Sequence, residues 1–174
     1  MGLFGLTKQE IRFIVITLAI LWSFAGINLL ESQVLARDVQ RKNDLKHIAT
    51  ALEAYRKNES GYPLEKDGKM FACFNSDNLR RVCDWGSDPL ATTASSFINP
   101  LPEDPLEYKN EALYLYLANT RDYQLFSALE KKNDPEYNKN VYARKLPCGT
   151  KICNFSVTSG VSPTQELGSY PGKQ

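Results

Sequence analysis

The chain has 174 residues, 43% hydrophobic and 24% charged, with 21 Lys/Arg, 20 Asp/Glu and a net charge of +1. Only Lys8, Glu10 and Arg12 of those charges precede Glu31, so the rest of the chain is electrically balanced. Balance of this kind lacks the basic footprint of a nucleic-acid-binding surface, and the roughly 140 residues past the first segment suit one small domain.

In chain order the first element is a helix. Thr7 and Glu10 stand at capping-box spacing, and Ile11 to Leu30 follow, twenty residues with a single charge, Arg12. At about 1.5 Å rise per residue they span about 30 Å, the thickness of a bilayer's hydrocarbon core. The apolar core is too long for a removable secretory signal, and no small-residue cleavage site follows Leu30. Thr17 and Asn28 share one side of the helix, where they either face another helix or find backbone partners. Basic residues flank the span on both sides, so charge does not set its orientation. The cysteines and the short N-terminal flank place the head outside.

No Gly or Pro interrupts the chain from Glu31 to Ser60. The periodicity predicts one rod from Lys8 to Lys57, about 75 Å long. Arg37 to Asp44 is polar almost all round, with Asp38 and Lys42 four apart, and reads as a charged neck between membrane and head. Leu45, Ile48, Ala49, Leu52 and Tyr55 then form an apolar stripe that must pack on something, most simply a small sheet. Gly61-Tyr62-Pro63 ends the helix, Gly as the stop and Pro barring continuation.

Leu64 to Asp88 reads as a long loop holding Cys73, Cys83 and Trp85, and Pro89 to Ile98 as the place for one short helix. Three prolines exclude helix from Asn99 to Pro105. Leu113-Tyr114-Leu115-Tyr116-Leu117 alternates, and with Tyr123 to Leu129 it predicts a hairpin over 113–129 with a leucine-rich core face. A third strand is expected near Val141 to Lys145. From Ser156 onward Ser, Gly, Pro and Thr dominate, which predicts a mobile tail over 156–174.

Cys73, Cys83, Cys148 and Cys153 form two local pairs in loop-like sequence, with nine and four residues between their members. An even count in an anchored chain reads as disulfides in an oxidising compartment. Three pairings are possible and the local one is favoured; a zinc site is the rival, since Cys-x4-Cys is within ligand spacing. The only histidine, His47, lies on the rod with no nucleophile in constellation, and Glu103 and Asp104 adjoin prolines like turn residues. No catalytic residue is assigned and the chain does not read as an enzyme. Trp85, Tyr108 and Tyr137 in loops could serve a binding surface, although such aromatics more often finish a small core. Asn58-Glu59-Ser60 and Asn154-Phe155-Ser156 match the glycosylation sequon.

These residues together resemble a type IV pilin-like protein, most similar to the major pseudopilin of type II secretion and related short-headed bacterial pilins. Four features carry the resemblance: Gly5-Leu6-Thr7-Lys8-Gln9-Glu10 ahead of the apolar run; Ala36 to Ile48; Ala51-Leu52-Glu53-Ala54-Tyr55 ending in Asn58-Glu59-Ser60-Gly61-Tyr62-Pro63; and Leu101-Pro102-Glu103-Asp104-Pro105 leading to the hairpin. It covers roughly residues 5–130. The fold it implies is α+β, a long N-terminal helix packed on a small antiparallel sheet. The segments are a short leader (1–5), a transmembrane part (6–30), an amphipathic rod (31–58), a disulfide-stapled head (59–155) and the tail.

The function it implies is structural. A prepilin peptidase at the inner membrane would cut between Gly5 and Leu6 and the new N-terminus would be methylated. Glu10 would pair with the amine of a neighbouring subunit, since a carboxylate among apolar rods is costly unless paired. Implied partners are other pilin or pseudopilin subunits, the peptidase, an inner-membrane assembly platform and membrane lipid. The implied location is a single-pass membrane protein with an extracytoplasmic head, or an extracellular or periplasmic fibre once assembled. Pseudopilins of this kind often bind calcium through loop carboxylates, and Asp134 and Glu136 lie in the corresponding region, although two acids in a turn are ordinarily solvated. The chain departs from the pattern in its short leader without basic residues and in Lys8, Gln9 and Arg12, cations among them that could satisfy Glu10 within one chain. An uncleaved chain would be a signal-anchored extracellular binding module with a pilin-like head.

Overall fold

The computed structural model describes residues 7–92, 94–109 and 113–167; the side chains of 24–28 are not described. The chain divides into two units, Met1–Arg37 and Asp38–Gln174. Helix α1 is Lys8–Glu59. At its start the Thr7 N–H donates to Glu10 Oε2 at 2.7 Å and the Glu10 N–H reaches Thr7 Oγ1 at 3.4 Å, the reciprocal capping box. In this first unit the Thr17 and Ser23 hydroxyls donate to the carbonyls of Phe13 and Ala19, each at 2.8 Å. Thr17 thus has its partner on its own helix; the Asn28 side chain lies outside the described residues.

In the second unit α1 buries Asp38, Arg41, Leu45, Ile48, Leu52 and Tyr55. Their spacings of three and four place them on one face. The stripe seen in sequence from Leu45 therefore starts two turns earlier, and the expected charged neck is part of the head from Asp38 onward. Asp38 and Arg41 are buried because each finds a partner there. After Glu59 it is Ser60, at φ 58°, that takes the left-handed position expected of Gly61. Gly61 is needed for a different reason: a Cβ there would lie 3.1 Å from the Thr120 carbonyl oxygen, beside the Tyr62 N–H bond to that same carbonyl.

The head is built from short antiparallel pairs around one three-stranded sheet. β1 (Glu65–Lys66) and β2 (Lys69–Met70) join through Asp67-Gly68, both at positive φ, and β3 (Cys73–Phe74) pairs with β4 (Arg80–Arg81). Asp-Gly is a strong hairpin turn, so the segment expected as loop from Leu64 to Asp88 carries two hairpins. β5 (Leu90–Ala91) and β6 (Ser96–Ile98) form another where a short helix was expected. The Asn99–Pro100 peptide is cis.

The predicted hairpin is present as β7 (Leu115–Ala118) and β8 (Tyr123–Ser127), Leu115 opposite Phe126 and Ala118 opposite Tyr123. Asn119 Oδ1 closes its loop by accepting the N–H groups of Arg121 and Asp122. Both faces of the sheet are buried. The tyrosine face, with Tyr114, Tyr116, Tyr123 and Leu125, shares a core with Leu45, Ile48, Leu52 and Tyr55 of α1. The leucine face, with Leu115, Leu117 and Phe126, is covered by Val141, Leu146, Cys148, Cys153 and Leu167. The rod therefore packs on the tyrosines, not on the leucine-rich face expected from the alternation. Buried tyrosines keep their hydroxyls bonded: Tyr116 to the Pro63 carbonyl and Tyr114 to Asp44, both at 2.7 Å.

Val141 lies in α2 (Lys139–Ala143), not in a third strand. Asn138 caps that helix, its Oδ1 accepting from the N–H groups of Asn140 and Val141. After β9 (Pro147–Cys148) and β10 (Lys151–Ile152), the third strand of the sheet is β11 (Phe155–Thr158), paired with β8. Ordered structure thus continues through the start of the expected mobile tail. Gln124 holds it further along by donating to the carbonyls of Ser162 and Gln165, and Leu167 is buried. Residues 168–174 lie outside the described set.

Cys73 is bonded to Cys83 and Cys148 to Cys153, the local pairing. The first disulfide belongs to the core shared with α1, the second to the core on the leucine face. Replacing Cys148 and Cys153 together by Ala is expected to destabilise the head by about 2 kcal/mol, the chain-entropy value for so short a loop. Urea unfolding would show it as a lower midpoint at unchanged slope.

Candidate functional site

Two regions concentrate chemistry that the rest of the fold does not explain. The first is the apolar part of α1 in the Met1–Arg37 unit. Phe13, Trp22 and Leu30 are 71, 77 and 66% exposed, and Ile11, Ile14, Val15, Ile16, Leu18, Ile20, Leu21 and Leu29 are exposed with them. These positions run round the whole helix, and a helix apolar on all sides needs a cover of lipid or other helices. Among the described residues no helix is long and apolar enough to cross a membrane. Phe24, Ala25 and Ile27, on which the apolar count from Ile11 to Leu30 partly rests, are among the side chains not described. Glu10, at the start of this helix, is exposed and accepts from both the Thr7 N–H and the Thr7 hydroxyl. Gly5 and Leu6, the expected cleavage point, lie outside the described residues.

The second region is the ion cluster that holds α1 to the head. Arg41 presents its guanidinium fork to Asp104, Nε at 2.7 Å from Oδ2 and Nη2 at 3.0 Å from Oδ1. Its Nη1 donates to Asp38 Oδ1 at 2.9 Å and Glu130 Oε1 at 2.7 Å. Asp38 also accepts the backbone N–H groups of Glu130 and Lys131, and Asp104 accepts that of Leu106. Burial opposes the charge on Arg41, but Asp104 and Glu130 outweigh it and raise its pKa, so the guanidinium is charged throughout. One cation thus serves three carboxylates drawn from α1, the proline-rich 99–105 segment and the chain after β8. Planar bidentate geometry explains why arginine occupies the position. Asp104, expected as a turn residue beside Glu103, is buried within this cluster.

On the next residue of the helix, Lys42 Nζ lies 2.9 Å from Asp134 Oδ2 and 3.0 Å from Glu136 Oε2. The two acids offered for calcium therefore grip an ammonium group. Among the described residues no group of three or more His, Cys, Asp and Glu side chains could hold a metal ion. Burial works against the Asp134 carboxylate, yet the Lys42 hydrogen bond and the Glu136 N–H lower its pKa. A depressed carboxylate pKa contributes stability that is present above the unfolded value, about 3.9, and is lost as pH falls through the folded one. Lys42→Met is expected to cost about 1 kcal/mol at neutral pH after allowance for solvent screening. The difference from the parent chain should vanish in acid, and carboxyl NMR of Asp134 should show its pKa rising in the variant. Asp44, beside the exposed His47, shifts the other way: burial raises its pKa against the Tyr114 hydrogen bond.

Of the loop aromatics, Trp85 is buried edge-on to Tyr114, Tyr108 is exposed and Tyr137 is half-buried. The sequons also differ. The Asn154 amide is buried and bonded at both ends to the Leu129 backbone, whereas Asn58 is exposed in the last turn of α1.

The Arg41 cluster escaped sequence reading, although a signal was present. Asp38 and Arg41 fall in the same register as Leu45, Ile48, Leu52 and Tyr55, which marks them as facing the head. No protein-family model, curated protein or solved structure matches the chain.

Proposed function

We propose that the chain is a structural subunit of a type IV pilus or type II secretion pseudopilus, assembling through its N-terminal helix. The observation that carries this reading is the ring of exposed apolar side chains on α1 from Ile11 to Trp22, joined by Leu29 and Leu30. In a bilayer that surface is covered by lipid; in a fibre the same surface is covered by copies of itself. Thr17 and Ser23 suit both settings, because their hydroxyls are satisfied within the helix. The two disulfides fit a head that matures in an oxidising, extracytoplasmic compartment. The test is the mass of the N-terminal peptide from native cells. Leu6 as first residue, with an added methyl group, supports the fibre subunit; an intact Met1 or Gly2 start removes its main support.

A second reading is the uncleaved, signal-anchored binding module. The observation in its favour is Glu10, whose carboxylate is already engaged by Thr7 of the same chain and so does not need a neighbour's amine. Sheared filaments separate the readings: a fibre subunit is recovered in them and a monomeric anchored module is not.

A further inference from the structure

An open groove of about 410 Å³ lies on the head between the Asp134–Asn138 loop, the start of α2 and strand β11, with Tyr137, Asn138, Lys139 and Ser156 in its lining. The loop is held from several sides. Asp134 accepts the Glu136 N–H and its carbonyl accepts that of Tyr137, the Asn138 N–H donates to the Asn154 carbonyl, and Lys42 grips Asp134 and Glu136. A groove rigid before binding avoids the ordering penalty of a mobile one.

The polar groups divide into committed and free. The Glu136 carboxylate is neutralised by Lys42 and, at 3.8 Å, by Lys46. Asn138 Oδ1 caps α2 by accepting the Asn140 and Val141 N–H groups, which leaves its Nδ2 as the donor that side chain can offer a ligand. Among the described residues the Tyr137 hydroxyl, the Lys139 ammonium and the Ser156 hydroxyl have no hydrogen-bond partner. The Tyr137 ring packs beside Tyr142, tilted by 37° with centroids 6.0 Å apart.

An aromatic ring with two hydroxyls, an amide and one ammonium suits a ligand with an apolar C–H face and many hydroxyls. A phosphate would want more than one free cation, and here two of the three nearby lysines are occupied. The volume lies in the range of small-ligand sites. We propose that this groove binds a neutral saccharide, with a pyranose ring on Tyr137 and its hydroxyls bonded to Asn138, Lys139 and Ser156. The proposal goes beyond the assembly reading and is independent of it, because either kind of protein could carry the groove and the N-terminal peptide mass does not bear on it.

The test is saturation-transfer NMR on the full chain in a detergent without sugar headgroups. The probes are methyl α-mannoside, methyl β-galactoside and N-acetylglucosamine at millimolar concentration, with inorganic phosphate as competitor. At least one sugar is expected to receive saturation. Lys139→Ala, an exposed change that leaves the fold intact, should weaken it about tenfold through the loss of one charge-assisted hydrogen bond, and Tyr137→Ala should weaken it further. No transfer to any of the three sugars, transfer unchanged in Lys139→Ala, or displacement of every sugar by phosphate would overturn the proposal.

Discussion

Arg41→Met is expected to destabilise the head by about 3–5 kcal/mol, the range for removing one partner of a buried ion pair. The size follows from what the variant leaves behind. Asp38 and Asp104 have fully buried side chains and Glu130 a partly buried one, and all three lose the cation they share. Methionine fills much of the volume, so the effect reads out charge more than packing. Urea unfolding followed by near-ultraviolet circular dichroism of the buried tyrosines measures it. Adding Asp104→Asn to Arg41→Met should recover part of the loss, and the double-mutant cycle gives their coupling. A loss below about 1 kcal/mol would mean that the cluster is not a clamp.

Leu52→Ala is the second large effect, at about 2–5 kcal/mol. Leu52 is fully buried in the core that α1 shares with the tyrosine face of the sheet. Truncation removes apolar burial and leaves a cavity between a helix and a sheet that are each braced elsewhere, which limits collapse. The matched control is Thr50→Ala on the exposed face of the same helix, expected within about 0.5 kcal/mol of the parent. Equal losses in the two variants would refute the assignment of faces along α1.

The long helix, its capping box, the β7–β8 hairpin and the local cysteine pairing were legible because each rests on neighbours in sequence. What was not legible depended on partners far along the chain. Arg41 looks solvated until Asp104 and Glu130 are brought to it from 63 and 89 residues away. Alternation in Leu113 to Leu117 separates two faces but cannot say which one meets the helix, since tyrosine is apolar enough to be buried once its hydroxyl is bonded. Strand β11 was hidden by Ser and Thr in Phe155–Thr158, polar residues that a short strand tolerates when only part of it is buried. The Asp67-Gly68 turn was readable in principle, and the shortness of its flanking strands is what masked it.

The position of Arg41 also decides where the protein can be shortened. The apolar stripe invites a cut just before Leu45, which would keep every hydrophobic anchor of α1. Such a chain would lack Asp38, Arg41 and Lys42 together, removing the cations paired with Asp104 and Asp134 and the acceptor of the Glu130 and Lys131 N–H groups. A soluble head for structural or binding work should instead begin ahead of Asp38, so that the last charged turns travel with the domain they belong to.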